Sequence, residues 1–570
     1  MEKLAVYHRP NKEFCYYLGE EILFKIRTKK NDCNIVNLYY VEKWAHREEK
    51  DLLCKEMTLV ASDNLFSYYE CLISFKGLGI SYFFELKSDI TIYYGNHKFF
   101  NSKTLDGNDM FECPLQARYD ESYKVPSWAP GAVVYQIFPE RFHKLNDEYS
   151  KDKWDMVPMT RDAFLGGTLN GIKTKIPYLK ELGIDVLYMC PIFESNSNHK
   201  YDTIDYFKVD PHFGTNQDLK ELVDEAHKNN IKVMLDGVFN HCGYDFKYFV
   251  DVRENGRKSK YFDWFYIDGD YPLWDKGENP WYEGIKPNYD TFAFYGGMPK
   301  MNTSNKEVRA YFFDCVKMWI KSFGIDGFRL DVPEEYSHDF SKELRCNMIE
   351  ANKECLISGE VWHEASDYLL GDEFDTVMNY VFRNACIDLL VNNSIKVNEF
   401  FERLGFLRGL LRKDTNTILW NLLDSHDTPR FLYLLNEDKN KLKIAVALQM
   451  TVSGMPFIYY GDEVGMTGDN DPDCRRGMLW DDSRDLELLE FYKALINARH
   501  ESDALMKGEL ENLSTDDNVM IFKKKYNNDQ RIIIINLTDK EQEISYSGTN
   551  IINHKLVSNK VGAFEIIILK

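Results

Sequence analysis

Three regimes of hydrophobic patterning follow one another along the chain. In residues 1–122, short aromatic and β-branched runs such as Glu21–Arg27 (EILFKIR) and Ile80–Leu86 (ISYFFEL) are cut by turn residues and show no helical period. That pattern predicts an N-terminal β-sandwich. Pro126, Pro130 and Gly131 then punctuate a linker. From 123 to 500 strand-like and helical periods alternate. Val133–Pro139 and Ile184–Pro191 read as buried strands, with Ile172, Ile176, Leu179 and Leu182 at helical spacing between them and Gly183 placed to close that helix. Thr215 and Asp218 predict a helix start ahead of Leu219, Leu222, Val223 and Ala226, and Ile231–Phe239 is a third strand. Ser304 and Glu307 predict a capping box for a helix burying Val308, Phe312, Cys315, Trp319 and Phe323 before Gly324.

Further strands are expected at Gly327–Val332, Leu356–Trp362, Thr376–Tyr380, Ile418–Leu423 and Pro456–Tyr460. Eight strands alternating with helices close naturally into an α/β fold, the (β/α)8 TIM barrel. The long stretch 242–303 is rich in Trp, Tyr, Asp and Gly and predicts an inserted subdomain after the third strand, over the barrel mouth. In residues 501–570, Val519–Phe522, Ile532–Leu537 and Phe564–Leu569 return to β patterning, predicting a C-terminal β-sandwich.

Charge narrows the partners. With 70 basic and 91 acidic residues the formal net charge is −21, which disfavours phosphate backbones and anionic lipid, so neither nucleic acid nor membrane is an expected partner. No run approaches the roughly 18 apolar residues of a spanning helix. The opening MEKLAVYHRPNKEF lacks the apolar core of a signal peptide. The 12 cysteines are scattered without a C-x-x-C pair, which fits reduced thiols and a cytoplasmic location.

In a β/α barrel the strands' C-terminal ends carry the chemistry. Those ends read Asp236-Gly-Val-Phe-Asn240-His241, Gly327-Phe-Arg329-Leu-Asp331, Gly359-Glu360-Val-Trp362 and Asp424-Ser-His426-Asp427. Singly, a strand-end Asp is ordinarily a loop or helix cap, and a His is ordinarily a hydrogen-bonded core group. Gathered on one rim, several carboxylates repel one another and are costly unless they are paired and used. Carboxylates with an arginine suit glycoside cleavage: one attacks the anomeric carbon, a protonated one donates to the leaving oxygen, and the transition state carries oxocarbenium charge. Arg329 and Asp331, two apart on one strand, share a face, so Arg329 is expected to keep Asp331 ionised. Val361 and Trp362 give Glu360 the apolar surroundings that raise an acid's pKa. Asp427 beside His426 can bind sugar hydroxyls and stabilise developing positive charge.

The strings DGVFNH, GFRLDV, GEVW and LLDSHD, in this order at the barrel strands, resemble the four signature regions of the α-amylase superfamily of glycoside hydrolases. Met298–Asn302, Gly359–Tyr380, Gly461–Trp480 and the opening AVYHRPNKEFCYY are similar to the neopullulanase, cyclomaltodextrinase and maltogenic amylase subgroup. The resemblance implies retaining hydrolysis of α-1,4-glucosidic bonds in cyclodextrins, maltooligosaccharides and pullulan or starch. It implies Asp331 as nucleophile, Glu360 as general acid/base and Asp427 as transition-state stabiliser. Arg329, His241 and His426 would bind the sugar at the cleavage point, Tyr201 would stack on it and His199 would sit nearby. Asp236 and Asn240 would support the site, Asp471 and Arg475 would grip the non-reducing side, and Trp362 would contact the acceptor side. No organic cofactor is implied, and a homodimer through the N-terminal domain is.

Two departures stand out. Relatives often hold calcium near the stretch that here reads Pro139–Asp147 and near Gly166-Gly-Thr168. Lys144 and Thr168 replace the usual oxygen ligands, so that site is expected to be degraded, with no metal ligand set retained. Val332-Pro333-Glu334-Glu335 replaces the usual V-A-N-E, putting Pro333 and the carboxylate of Glu334 beside the nucleophile. Two rival readings carry their own discriminators: a transglycosylase makes products longer than its substrate, and a non-catalytic carbohydrate-binding relative lacks the nucleophile or the acid.

Overall fold

The computed structural model describes residues 1–44, 48–113, 123–146, 150–274 and 286–570. The expected boundary at 122/123 therefore abuts residues outside the description, as do Asp147 of the calcium-type stretch and part of the insertion. Two compact units emerge: residues 1–125 with 369–371 and 394–416, and 126–368 with 372–393 and 417–570.

The second unit holds the barrel. Eight parallel strands, β1 (Val134–Ile137), β2 (Val186–Met189), β3 (Lys232–Gly237), β4 (Gly327–Leu330), β5 (Leu356–Gly359), β6 (Thr376–Val377), β7 (Trp420–Leu422) and β8 (Met455–Tyr459), lie in the order β6-β5-β4-β3-β2-β1-β8-β7. A parallel bridge between Met378 and Trp420 joins the two ends of this order and closes the barrel. Every strand residue but Lys232 is buried, as a sheet covered on both faces requires. The connections lie where the apolar periods fall, with two local differences. The helix expected through Ile172–Leu182 is two, Leu169–Thr174 and Ile176–Leu182, because Pro177 in the first turn of the second has no N–H to continue the first. Gly183 closes the second at φ 93°, a left-handed position that suits glycine. The helix Lys306–Phe323 is capped by Asn305 rather than Ser304: the Asn305 side chain accepts from the Glu307 N–H at 2.8 Å. The Thr215–Asp218 capping box forms as expected.

The stretch after β3 forms a helix, Lys247–Asn255, and short bridged segments that pair Phe265 with Met301 and Ile267 with Tyr289. At the C-terminus a four-stranded sheet (Glu509–Asn512, Val519–Tyr526, Asp529–Asn536, Ile566–Leu569) and a two-stranded one (Gln542–Thr549, Leu556–Val561) enclose Ile521, Ile534, Ile544, Val561 and Ile567.

The first unit is a sandwich of two antiparallel sheets, one built on Glu21–Lys29 and Phe66–Ile73, the other on Ile35–Glu42 and Ile80–Lys87, around a core that includes Phe24, Ile26, Leu38, Tyr82 and Phe84. The helix Val397–Leu410, distant in sequence, belongs to this unit. The fully buried Lys25 ammonium is held by its last carbonyls, Gly409 O at 2.9 Å and Leu411 O at 2.7 Å. Arg408 makes two 2.7 Å bonds to Glu70. Gly405 and Gly409 permit the approach, since a Cβ at either would meet the backbone of Ser62 or the ring of Tyr68.

In the barrel unit, Arg499 is fully buried and donates to the carbonyls of Gly131, Met450, Gly454 and Leu505, tying the start of β1 to the loop before β8 and to the last helices. Removing it leaves four buried acceptors unpaired. Arg499→Met is expected to lose about 3 kcal/mol or more of stability, read as a lowered melting temperature of the barrel transition.

Candidate active site

Sheet register assembles the site. In the β3–β4 pairing Asp236 lies opposite Arg329, and in β4–β5 Arg329 lies opposite Ser358 and Leu330 opposite Gly359. Asp331 and Glu360 follow directly, their N–H groups bonded to Gly237 O at 3.1 Å and Leu330 O at 3.0 Å. Arg329 and Asp331 thus point to one side, and the carboxyls from three strands meet one guanidinium. Arg329 Nη1 donates to both Asp236 oxygens and to Asp331 Oδ1, each at 3.0 Å, and Nη2 lies 2.7 Å from Glu360 Oε2. All four side chains are buried.

A second cluster stands across from it. Asp427 Oδ2 lies 3.0 Å from His426 Nε2, and its Oδ1 accepts from Arg475 Nη2 at 3.0 Å. Arg475 also pairs with Asp471 at 2.9 Å and donates to the His426 carbonyl at 2.7 Å. Tyr201 joins the clusters: its hydroxyl donates to Asp236 Oδ2 at 3.1 Å and meets His426 Nε2 at 2.5 Å, and its ring stacks on His426 and on His199. Asn240 donates to Glu335 Oε2 at 3.0 Å, which also takes the Lys300 ammonium at 2.7 Å, so the turn after β4 is tied to the end of β3. His241 stacks on Phe292 at 4.8 Å, and its Nε2 is buried with no hydrogen-bond partner. Trp362 stacks on Tyr380 at 4.1 Å and donates from its indole N–H to Glu360 Oε1 at 3.1 Å.

These groups line or underlie a cavity of about 370 Å³. His199, Tyr201, His241, Asp331, Glu360, Trp362, Asp427, Asp471 and Arg475 face it, while Asp236, Asn240, Arg329 and His426 lie beneath. Strand-end reading overlooked four contributors. Tyr188, which donates to Asp236 Oδ2 at 2.6 Å, sits in β2 near its end and was accessible to the same logic. Phe292 and Arg161 come from loops with no periodic signal, and Gln136 of β1, 2.8 Å from His426 Nδ1, faces into the barrel. A larger cavity of about 550 Å³ lies at the opposite strand ends, but its His227 and His500 are taken up by Asp326 and Asp185, and no cluster of carboxylates faces it.

Electrostatics separate the carboxylates. Burial raises Asp331 and Glu360, as does the charge of neighbouring carboxylates, and Arg329 opposes the rise in both. Arg329 lowers Asp331, as expected, but its one charge is divided among Asp236, Asp331 and Glu360, and burial with the charge of Glu360 leaves Asp331 raised. Both carboxyls are pushed up, and their titration belongs to the Asp331–Glu360 pair. Glu360 is raised, as expected, with burial as the main cause. Asp427 goes the other way: burial works against it, but His426 and Arg475 outweigh burial and hold it well below the carboxylate range. His426, despite burial, is pushed up to about 10, mainly by Asp427.

Two side chains of the calcium-type stretches are engaged elsewhere. Thr168 spends its hydroxyl capping the helix Leu169–Thr174, with the Gly171 N–H at 3.0 Å, and Lys144 sets its ammonium over the Trp154 ring. Among the described residues no three His, Cys, Asp or Glu side chains are grouped to hold a metal.

A barrel that gathers carboxylates around one guanidinium, beneath a cleft walled by Tyr201, Phe292 and Trp362, defines a glycoside hydrolase. Residues 136–486 match the family described as "Alpha amylase, catalytic domain", and residues 1–116 match "Alpha amylase, N-terminal ig-like domain". The chain belongs to the α-amylase family. It is 41% identical over 553 residues to a cyclomaltodextrinase of Thermoanaerobacter pseudethanolicus, covering 95% of this chain and 94% of that protein. It is 39% identical over 551 residues to neopullulanase 2 of Thermoactinomyces vulgaris, covering 95% and 92%. A solved cyclomaltodextrinase structure superposes with a TM-score of 0.90 at 38% identity, covering 96% of this chain and 95% of that one.

Burial also lowers His241 to about 3 and His199 to about 4, so both are neutral in the fold. Unfolded, each takes a proton near pH 6.5, so the stabilisation they provide is full above that pH and is lost as pH falls towards 3. His426 is charged in both states below pH 6.5 and adds no slope there. Each pH unit below 6.5 is expected to cost about 1.4 kcal/mol per such histidine. Melting temperatures measured from pH 7 to 5 are expected to fall, with a shallower fall in His241→Gln.

Proposed function

We propose that the chain is a retaining α-1,4-glucosidic hydrolase of the cyclomaltodextrinase and neopullulanase type, acting on cyclodextrins and maltooligosaccharides and also on pullulan or starch. The observation that carries this reading is the shared Arg329 guanidinium, which sets Asp331 and Glu360 side by side on the cleft floor while Asp427 is held ionised opposite. An Asp331 oxygen bonds to the anomeric carbon as the bond to the leaving chain breaks, and the freed electron pair on the leaving oxygen takes the proton of Glu360. Water then attacks the same carbon and gives its proton to Glu360, while the electron pair of the ester bond returns to Asp331. Asp427, paired with His426 and Arg475, stays anionic and offsets the oxocarbenium charge. The unpartnered Nε2 of His241 suits a sugar hydroxyl, Tyr201 suits stacking beneath the ring, and Asp471 with Arg475 suits the non-reducing side.

The reaction asks for no organic cofactor, and with Thr168 and Lys144 engaged elsewhere the enzyme would run without calcium. A homodimer through the N-terminal unit fits the exposed Trp44, Leu59, Leu65 and Leu78 of that unit. A cytoplasmic location fits twelve unpaired cysteines. A relative at 36% identity is named an intracellular maltogenic amylase.

Initial rates on β-cyclodextrin, pullulan and soluble starch test the substrate class. Cyclodextrin is expected to be opened fastest, with rates unchanged by a chelator and products no longer than the substrate. Longer products would favour transfer, and starch outpacing cyclodextrin would mean an open cleft. Glu360→Gln is expected to lose about 10²–10⁴-fold in kcat on cyclodextrin but far less on an aryl α-maltoside whose leaving group needs no proton.

A further inference from the structure

The hydrogen bond from Trp362 is one that a sugar platform does not need. Glu360 is met by one guanidinium charge and two N–H donors. Its Oε2 faces Arg329 Nη2 and accepts from the Val332 N–H at 3.2 Å, while Oε1 accepts from the Trp362 indole at 3.1 Å. The Val332 N–H is aimed by a constrained backbone: at φ 44° and ψ 49°, a β-branched residue occupies the left-handed region. The Arg329 charge and the Val332 N–H favour the carboxylate form, and burial with the charge of Asp427 opposes them; an N–H on Oε1 favours the carboxylate as well. Arg329 on β4 with Asp331 directly after it, His426 with Asp427 after β7, and the Tyr380 hydroxyl are the other titratable groups facing this carboxyl.

Two of these three groups are fixed, one a fully buried guanidinium and the other main chain. Trp362 is 38% exposed on the cleft wall. Oε2 is turned towards the fixed groups, so Oε1 is the oxygen a leaving group must reach, and it is the atom that the indole occupies. A retaining reaction asks one carboxyl first to give a proton and then to accept one.

Resting on the assignment of Glu360 as acid/base, we infer that Trp362 is a positioning residue whose indole N–H switches Glu360 between those two tasks. A glucan chain entering the acceptor side displaces the N–H from Oε1. Glu360 then loses a donor that favoured its anion, holds its proton more tightly, and delivers it to the leaving oxygen as the glycosidic bond breaks. When the leaving chain departs, the indole returns and keeps Oε1 deprotonated until water yields its proton there.

The test is the pH profile of kcat/KM on β-cyclodextrin for Trp362→Phe and for a variant carrying β-(3-benzothienyl)alanine at 362, which keeps the bicyclic shape and replaces N–H by sulfur. Without the donor Glu360 stays protonated to higher pH, so the basic limb is expected to move up by about one pH unit in both variants, with the acidic limb in place. A limb that stays put, or a loss of rate uniform across pH, overturns the inference. Glu360→Gln assayed on an aryl α-maltoside separates the two levels. If it loses as much rate there as on β-cyclodextrin, the acid/base assignment itself falls. If its loss is confined to β-cyclodextrin while the 362 variants leave the basic limb unmoved, only the role of Trp362 falls.

Discussion

A single guanidinium at the centre of the barrel makes the rest of the site affordable. Asp236, Asp331 and Glu360 come from three adjacent strands, and without a buried positive charge their mutual repulsion and desolvation would cost several kcal/mol each. Arg329 meets all three with two nitrogens at 2.7–3.0 Å. Its reach is set by strand register, because Asp236 and Arg329 are direct partners across β3 and β4. The barrel must close in that register for the carboxylates to meet. One charge shared three ways offsets burial only in part, and this is why Asp331 and Glu360 are both pushed up.

The opposite wall obeys the reverse logic. Asp427 is met by two cationic side chains, His426 and Arg475, so it is held low in spite of burial. The two walls therefore differ in kind: on one the carboxyls are pushed up, on the other the carboxyl is held down. Cleavage of a glycosidic bond needs both, a proton for the leaving oxygen and a permanent negative charge near the oxocarbenium centre. Tyr201 holds the walls in fixed relation through Asp236 and His426. Glu335 anchors the turn after the proposed nucleophile to Asn240 and Lys300, and leaves Glu334 facing the cleft.

Much of this was legible in the sequence because it rests on local periodicity. Buried strands in a barrel are unbroken apolar runs, and their ends deliver Asp236, Asp331, Glu360 and Asp427 at positions that topology alone assigns to the rim. What escaped depends on contacts between distant segments. The break before Ile176 needed Pro177 to be weighed above the apolar period that spans it. The cap at Asn305 was hidden because Ser304, one residue earlier, satisfies the same motif. That Val397–Leu410 packs with the N-terminal sandwich could not be read from its own pattern; Gly405 and Gly409 acquire meaning only beside Ser62 and Tyr68. The upward pull on Asp331 was hidden for the same reason, since a neighbour two residues away was visible and the other claimants on Arg329 were not.

The most direct test of the account is capture of the reaction intermediate. Incubation with a 5-fluoro-α-maltosyl fluoride, followed by proteolysis and mass spectrometry, should show one sugar added to the peptide that contains Asp331, with turnover resuming as the adduct decays. Labelling at Asp427 or Glu360 instead, or release of an inverted anomer with no adduct on any peptide, would contradict it.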